Sequence, residues 1–249
     1  MKLSIITVVY NNERTITDAI KSVLGQTYKN IEYIIIDGAS TDRTLELIQP
    51  YRQQVAQLIS AADKGIYDAM NKGIRLATGD VIGILNSDDV YADGEVLQDV
   101  MDAFINDSSL DMVYGDLVYV KSDDTNAIVR RWFSKPYYTK YFEDGHVPPH
   151  PSLFIKRAVY EKAGLFNDKM RLAADYEFML RVFKKYYFKS THISRILVKM
   201  RMGGATNKSW KNIVRGNLEI LSAWKINQLK APLLLMPYRM IRRLAQFKK

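Results

Sequence analysis

The sequence predicts an α/β fold built on a mostly parallel β-sheet. Three apolar, β-branched runs, at residues 3–10, 32–37 and 80–85, are typical of strands that are buried on both faces. Apolar residues recur at helical spacing between these runs, at 13–26 and 65–77. Strands that alternate with helices at short intervals are typical of β–α units, so we expect an α/β domain over roughly the first hundred residues.

The elements of the first half follow from local patterns. In the first helix the apolar side chains share one face, namely Ile16, Ala19, Ile20, Val23 and Leu24. The second strand ends at Gly38, and Thr41 or Asp42 is expected to cap the helix that follows. We expect a short strand near residues 56–60 before the third helix.

The second half is less regular. A loop over residues 134–151 holds four of the seven prolines together with several aromatic residues, so we expect it to be ordered rather than a domain linker. The remaining predicted elements are strands at 111–120 and 127–133 around a polar turn at 122–126, a helix at 175–187 and a strand at 192–200.

Composition excludes several classes of protein. The 249 residues are 47% hydrophobic and 25% charged, which is typical of a folded globular chain and excludes a disordered one. Because there is no Cys, no disulfide, thiolate nucleophile or Cys-based zinc site can form, and a reducing compartment suits the chain. Three His residues make a His-rich metal centre unexpected. No apolar run approaches the roughly 20 residues that span a bilayer.

The net charge of +9 is concentrated at the C-terminal end. Residues 201–249 contain eleven Lys and Arg and one acid, Glu219, so the first 200 residues are nearly neutral. This distribution argues against nucleic-acid binding. The tail alternates basic and apolar residues at helical spacing, which fits a helix on an anionic membrane surface, a helix packed on the body, or a dimer contact.

Three polar clusters follow apolar strands, at residues 10–13, 37–42 and 86–89. Ligands of α/β sheets bind beyond the carboxyl ends of the strands, so these clusters mark the expected site. Asp88 and Asp89 could bind a divalent cation that bridges a diphosphate, although residues 86–89 would equally make a polar turn. Asp37 could accept hydrogen bonds from a base or ribose, although a capped strand–turn–helix explains most of its cluster.

A fourth cluster, at residues 63–71, combines Asp63, Lys64 and a flexible Gly at a helix start. An acid there would stabilise the helix without any ligand, but the number of polar residue types exceeds what capping needs. Taken in order, the chain contains VVYNNE, DGASTD, DKGIYDAMNKG, NSDD, HPSLFIKR and ADYEFMLR.

These motifs, in this order and spacing, resemble the family 2 glycosyltransferases, most closely the bacterial members that build capsule, exopolysaccharide or O-antigen units. The resemblance covers residues 2–205. It implies the A-type nucleotide-diphospho-sugar transferase fold, a mixed, mostly parallel central sheet flanked by helices with a C-terminal helical extension. We expect a catalytic domain at 1–206, with a nucleotide-binding half at 1–110 and an acceptor-side half at 111–206. A basic amphipathic helical tail would occupy 207–249.

The resemblance also implies roles for individual residues. Those matching the donor nucleotide pocket are Thr7, Val9, Tyr10, Glu13, Asp37, Asp63, Lys64 and Asp88. Asp89, with Asp88, matches the metal-binding position of the Asp-X-Asp signature. Asn86 stands where that signature has its first Asp, which weakens the expected dependence on metal.

Asp175 matches the catalytic base at the start of a helix beside the acceptor, whereas Glu177 lies on another helical face and is the weaker candidate. An acid that only stabilises the first turn of a helix would give the same sequence pattern at Asp175. His150 matches a position near the sugar and acceptor. Arg201, Gly203 and Gly204 match a loop that closes over the donor. A structural His beside Pro and a common Gly-Gly loop explain these residues equally well.

The function implied is inverting transfer of a sugar from a nucleoside diphosphate, most often UDP among the relatives, to a hydroxyl of a glycan or lipid-linked saccharide. Mn²⁺ or Mg²⁺ would be the cofactor. We expect a cytoplasmic enzyme, peripheral on the inner face of the cell membrane through its tail. Two alternatives are a sugar nucleotidyltransferase and a catalytically degenerate membrane-associated scaffold. The first is disfavoured because VVYNNE lacks the Gly and Lys of a triphosphate loop.

Overall fold

The computed structural model describes residues 1–203 and 210–246. The strands are β1 (Leu3–Val9), β2 (Ile31–Asp37), β3 (Gln57–Ser60), β4 (Val81–Ile84), β5 (Val90–Tyr91), β6 (Met112–Val120), β7 (Ile128–Trp132), β8 (Leu153–Lys156) and β9 (Ser190–Arg201). The helices are α1 (Ile16–Leu24), α2 (Thr44–Ile48), α3 (Ile66–Leu76), α4 (Val96–Asn106), α5 (Arg157–Ala163), α6 (Ala174–Leu180), α7 (Trp210–Ile226) and α8 (Leu235–Ala245).

The strands form one mixed sheet in the order β3-β2-β1-β4-β8-β6-β9-β5, with β7 beside β6. Strands β1 to β4 are mutually parallel, as the sequence predicts. The antiparallel strand β8 lies between β4 and β6 and so joins the two halves of the sheet. β6 is parallel to β9 and antiparallel to β7.

Helices cover both faces of the sheet, which explains why the first strands are continuously apolar. Along β1, Ile6 and Val8 belong to the core beneath α3 and α6. Leu3 and Ile5 belong to the opposite core, beneath α1 and α4. Since neighbouring side chains of a strand point to opposite faces, every residue of β1 is buried.

The sequence does not predict four of the elements, β5, β8, α4 and α5. β5 has two residues and β8 has four, so neither shows a periodicity of its own. α4 and α5 were not expected either, and α5 follows β8 with no intervening turn. The helix predicted at 175–187 is α6, which continues into a π-helical turn at Arg181–Lys185.

The C-terminal helices pack on the α/β body. α7 buries Ile220, Ala223 and Trp224 against the core that contains α6. The indole N–H of Trp224 donates to the hydroxyl of Tyr176 at 3.0 Å, and the Asn227 amide donates to Oε1 of Glu177 at 3.0 Å. Within residues 1–203 and 210–246, no helix is both long and apolar enough to cross a bilayer.

Candidate active site

The carboxyl ends of β1, β2 and β4 lie at one edge of the sheet, and the loops that leave them are hydrogen-bonded to each other. Asn11, in a left-handed conformation with φ of 47°, donates its N–H to Ser40 Oγ at 2.8 Å and accepts from the Thr41 N–H at 2.8 Å. Asn12 Nδ2 donates to Ser87 Oγ at 2.9 Å. The three polar clusters predicted at strand ends are therefore brought together.

A notch at Gly38 brings Tyr10 and Asp63 together. A Cβ placed on Gly38 would lie 2.6 Å from Oδ2 of Asp63 and 3.3 Å from Cδ2 of Tyr10, so a side chain there would collide with Asp63. Tyr10 is 63% exposed, and Asp63 is half-buried with Oδ1 accepting the Gly65 N–H at 2.8 Å. The notch leaves an aromatic face and a carboxylate open to a ligand.

Three predicted pocket residues are buried beneath this surface. Thr7 accepts a hydrogen bond from the Tyr33 hydroxyl at 3.0 Å, and Val9 pairs with Asp37 across the sheet. Asp37 accepts from the Ser40 N–H at 3.0 Å and from Ser60 Oγ at 2.7 Å. These buried side chains stabilise the strand ends and the loops that follow them.

Two of the remaining predicted pocket residues, Glu13 and Lys64, are exposed at the rim. Glu13 accepts the Arg43 N–H at 3.0 Å, where α2 begins. The backbone N–H of Lys64 donates to Asp68 Oδ2 at 3.1 Å, and its side chain is exposed. Lys64 is therefore accessible to an anionic ligand.

Asp88 and Asp89 follow β4 at the same edge. Asp89 is fully buried, with Oδ2 accepting from Asn86 Nδ2 at 3.2 Å and Oδ1 from the Arg201 N–H at 3.2 Å. Burial raises the pKa of Asp89, and the charge of half-buried Asp88 raises it further. Two crowded carboxylates of this kind are stabilised by a cation.

The residues present fit a divalent ion whose coordination is completed by its substrate. Oδ1 of Asn86 is buried and has no hydrogen-bond partner in the described part of the chain. Across residues 1–203 and 210–246, no group of three or more His, Asp or Glu could form a metal cage. Mg²⁺ and similar ions are commonly held by one or two carboxylates plus phosphate oxygens and water, which matches this donor set.

The Arg201 guanidinium joins three segments around this loop. Its Nη1 donates to the Asp88 carbonyl at 2.9 Å, its Nε to the Ser122 carbonyl at 3.1 Å, and its Nη2 to Asp18 Oδ2 at 2.6 Å. This arrangement favours a positioning role for Arg201, since its guanidinium is bonded within the protein. Gly203 has a φ of 122°, and Gly204 lies outside the described residues.

Asp175 lies in the first turn of α6, where the helix dipole favours a negative charge. Its Oδ1 accepts a hydrogen bond from the hydroxyl of Tyr67, on α3, at 3.0 Å. Burial and the charge of Asp175 raise the pKa of Tyr67, so this hydroxyl stays protonated and donates. Glu177, by contrast, is buried in an ion pair with Arg181 at 2.8 Å.

His150 is close enough to Asp175 to sense its charge. Burial lowers the pKa of His150 and the Asp175 charge partly opposes this, so the imidazole is neutral. Its Nε2 is buried and has no hydrogen-bond partner in the part of the chain that the structure covers. The ring meets Phe166 edge to face, with centroids 5.7 Å apart. A buried imidazole nitrogen without a partner is suited to a hydrogen bond with a substrate hydroxyl.

Sequence reasoning missed two residues that support Asp175. Tyr67 belongs to the DKGIYDAMNKG motif, but nothing local identifies its partner on α6. Glu219, on α7, accepts the backbone N–H groups of Leu172 at 2.8 Å and Ala173 at 3.0 Å, where α6 begins. Glu219 is the one acid among residues 201–249, which sets it apart in the sequence. The sequence does not show, however, that it accepts backbone N–H groups at the start of α6.

Comparisons with known proteins identify the family and the fold of the chain. The profile of glycosyl transferase family 2 matches residues 4–163. The PGL/p-HBAD biosynthesis glycosyltransferase of Mycobacterium bovis is 30% identical over 184 residues, a match that covers 72% of this chain and 69% of that one.

Two solved proteins share the fold. The structure of S. aureus TarS 1-349 superposes with a TM-score of 0.71 at 20% sequence identity. The match covers 98% of this chain and 72% of the TarS chain. TarS 1-349 has also been solved in complex with UDP-GlcNAc. The mannosyltransferase PcManGT of Pyrobaculum calidifontis, in complex with GDP-Man and Mn²⁺, gives 0.66 at 16% identity over 99% of this chain and 69% of its own. The fold is the A-type glycosyltransferase fold, and the chain belongs to glycosyl transferase family 2.

Proposed function

We propose that the chain is an inverting glycosyltransferase of cell-surface polysaccharide biosynthesis. It moves a sugar from a nucleoside diphosphate to a hydroxyl of a glycan or lipid-linked saccharide. The observation that carries the proposal is Asp175, which lies at a helix start with Tyr67 donating to it at 3.0 Å. Among the residues named above, Asp175 is the acid oriented in this way, whereas Glu177 is occupied by Arg181. A single base suits one displacement with inversion.

In this reaction Asp175 takes the proton of the acceptor hydroxyl. The acceptor oxygen attacks the anomeric carbon as the bond from that carbon to the diphosphate oxygen breaks, and the nucleoside diphosphate leaves. His150 is neutral and has a buried Nε2. It accepts one hydrogen bond from a sugar hydroxyl or donates one to it. Tyr67 holds the Asp175 carboxylate in place.

The donor site is the notch beside Gly38 together with the Asp88–Asp89 loop. Tyr10 and Asp63 line the nucleoside side, and Lys64 is exposed nearby. The UDP-GlcNAc and GDP-Man complexes of the structural relatives support a nucleotide-sugar donor, and UDP is our first candidate.

Asp88 and Asp89 would hold Mn²⁺ or Mg²⁺, and the Mn²⁺ in the PcManGT complex supports this assignment. When bound, the ion would neutralise the charge of the departing diphosphate. The protein itself contributes the orientation of the two carboxylates, which Asn86 and the Arg201 N–H fix at Asp89.

The C-terminal region would place the enzyme at the inner face of the cell membrane. Large apolar side chains are exposed on α7 and in the segment after it, including Trp210 at 71%, Leu218 at 59% and Leu233 fully. Lys211 and Lys225 are exposed on the same helix. An exposed surface of this composition suits a bilayer with anionic lipids.

The test is turnover by Asp175→Asn in a panel of UDP-, GDP- and dTDP-sugars, with release of nucleoside diphosphate as readout. The matched control is Asp168→Asn, an exposed acid in the loop before α6. We expect Asp175→Asn to lose at least about 100-fold in kcat and Asp168→Asn to match wild type. Near wild-type turnover by a folded Asp175→Asn would refute the base. Pyrophosphate release from nucleoside triphosphates would instead support the nucleotidyltransferase, and no turnover at all would support the degenerate scaffold.

A further inference from the structure

Helix α3 carries a second buried polar side chain one turn after Tyr67. Asn71 is 2% exposed, and its spacing of four residues places it on the same face of the helix as Tyr67. A buried amide in the middle of a helix is unfavourable unless its polar groups are hydrogen-bonded. The partners of the Asn71 amide therefore indicate its role.

Both polar groups of Asn71 bond to the backbone of Phe166, 95 positions further along the chain. Nδ2 donates to the Phe166 carbonyl at 2.9 Å, and Oδ1 accepts the Phe166 N–H at 3.0 Å. Phe166 lies in the loop between α5 and α6, and a buried loop backbone depends on partners of this kind. One amide thus fixes the position of Phe166 by two hydrogen bonds.

Neighbouring elements hold both members of this contact in place. α3 lies so close to β1 that a Cβ on Gly73 would be 2.4 Å from Cγ2 of Ile6. Arg181, in the π-helical turn after α6, donates to the Leu165 carbonyl at 2.8 Å, directly before Phe166. The backbone that carries the Phe166 ring is therefore held from two directions.

The Phe166 ring contacts two side chains of the candidate active site. Its centroid lies 5.7 Å from that of His150, at an angle of 88°, and 5.9 Å from that of Tyr67, separations typical of favourable aromatic pairs. The Tyr67 hydroxyl donates to Asp175 Oδ1 at 3.0 Å. Nε2 of His150 is buried and has no hydrogen-bond partner among the described residues. One ring thus links the base to an imidazole nitrogen that is open to a substrate hydroxyl.

We propose that Asn71 is a positioning residue for the transfer reaction and acts through Phe166. By fixing the Phe166 backbone it keeps the ring against His150 and Tyr67. The imidazole that contacts the sugar and the carboxylate that takes the proton then keep a constant separation, on which alignment of the attacking oxygen depends. This inference rests on the proposed function, and it adds a role for the part of the DKGIYDAMNKG motif that follows the donor residues.

The alternative is that Asn71 only stabilises the fold, and two substitutions separate the two roles. Asn71→Ala removes both hydrogen bonds and leaves the Phe166 ring. Phe166→Leu removes the ring and leaves the backbone groups to which Asn71 bonds. If Asn71→Ala does not fold, Asn71→Asp, which keeps an oxygen that can accept the Phe166 N–H, takes its place.

Each variant has a matched control beside α1 and α4, away from the candidate site. Gln26 is also 2% exposed, and its amide likewise joins two segments, donating to the Asp93 carbonyl at 2.7 Å and accepting the Leu97 N–H at 3.0 Å. Phe104 is fully buried in the core beneath α1 and α4. Gln26→Ala and Phe104→Leu therefore report what the loss of a buried amide or a buried ring does to stability alone, which urea unfolding measures for all four variants.

The first readout of positioning is the NMR signal of the His150 ring in histidine-labelled protein without substrate, which requires no activity. The chain has three His residues, so a spectrum of His150→Gln identifies the signal. We expect Asn71→Ala and Phe166→Leu to shift the His150 signal and both controls to leave it within the wild-type line width. An unmoved signal in Asn71→Ala would overturn the proposal.

The second readout is the effect on kcat beside the effect on UDP affinity. We expect kcat to fall at least about tenfold in Asn71→Ala and Phe166→Leu, with UDP affinity unchanged by calorimetry. In a Tyr67→Phe background Phe166→Leu should cost less than in wild type, because the link to Asp175 is already broken.

Losses of kcat no larger than those of Gln26→Ala and Phe104→Leu would show that Asn71 and Phe166 serve stability alone, and would overturn the proposal. Failure of the proposed function is distinguishable from this result. A wild type that turned over no donor would refute the transferase, whereas an unmoved His150 signal in an active enzyme would refute the positioning role only.

Discussion

The hydroxyl of Tyr67 donates a hydrogen bond to Oδ1 of Asp175 at 3.0 Å, although the two residues are 108 positions apart. Tyr67 lies in the first turn of α3, and Asp175 lies in the first turn of α6. In the proposed reaction, the base would therefore be positioned by the half of the chain that we expect to bind the donor. Substitutions at either end of this contact should change catalysis without abolishing the fold.

Tyr67→Phe removes the donor and leaves the ring. We expect kcat to fall about tenfold with KM nearly unchanged, because the carboxylate loses an orienting hydrogen bond of about 1.5 kcal/mol. Steady-state kinetics with the best donor of the panel measures kcat and KM separately. Tyr160→Phe, at another buried tyrosine whose ring stacks on Phe178, is the control and should keep wild-type kcat. If Tyr67→Phe raised KM and left kcat unchanged, Tyr67 would bind substrate rather than orient Asp175.

Glu219→Ala should damage both stability and turnover. The Glu219 carboxylate accepts the Leu172 and Ala173 N–H groups at the start of α6, so its loss leaves the helix that holds Asp175 without its cap. We expect a loss of about 1–2 kcal/mol in the free energy of unfolding, with a lower kcat. Urea unfolding and kinetics measure both. Glu161→Ala, at an exposed ion pair with Arg157, should change neither.

Gly38→Ala should weaken nucleotide binding. The added Cβ would lie 2.6 Å from Asp63 Oδ2, inside the notch that Tyr10 and Asp63 form. We expect UDP affinity to fall at least about tenfold. Gly94→Ala is the matched control, because its Cβ would make an ordinary 3.4 Å contact with the Gly25 carbonyl. Equal UDP affinity in both variants would place the nucleoside elsewhere.

Glu32 should make stability depend on pH in the acid range. Burial raises the pKa of Glu32, but hydrogen bonds from Lys2, Ser4 and Thr78 outweigh this and lower the pKa to about 2. A lowered pKa in the folded state stabilises the protein above the unfolded pKa, near 4.5, and the contribution is lost as pH falls toward about 2.

Glu32→Gln should therefore cost about 2 kcal/mol of unfolding free energy near pH 7 and progressively less below about pH 5. Urea unfolding of both proteins across that range gives the difference. Glu46→Gln, on the surface, serves as the control. A Glu32→Gln deficit that stayed constant down to about pH 3 would mean that the carboxylate charge contributes nothing.

Much of the fold follows from short-range patterns. The runs of β1 and β2 are continuously apolar because helices cover both faces, and their polar ends mark the site. Two-residue β5 and four-residue β8 acquire their conformation from pairing with β9 and β4, so no local pattern could predict them. The contacts of Tyr67, Glu219 and Arg239 with α6 join segments far apart in the chain, and sequence periodicity carries no information on such pairs.

Arg201 illustrates the same limit within the site. The family resemblance placed Arg201 in a loop that closes over the donor, but its guanidinium is bonded to Asp18 and to the Asp88 and Ser122 carbonyls. The tail is a second case. Its charge and apolar residues fitted a membrane helix, a helix packed on the body or a dimer contact. The structure packs α8 on the body near Gly145 and Tyr176 through Arg239, while Arg242 and Arg243 stay exposed.

A metal-dependent nucleotide site is tested by calorimetric titration of UDP, GDP and dTDP into wild type and Asp89→Asn, each in Mn²⁺ and in EDTA. We expect one nucleotide to bind wild type in Mn²⁺ and to lose at least about tenfold in affinity in EDTA. Asp89→Asn in Mn²⁺ should resemble wild type in EDTA. Absence of binding by all three nucleotides to folded wild-type protein would contradict the proposed function.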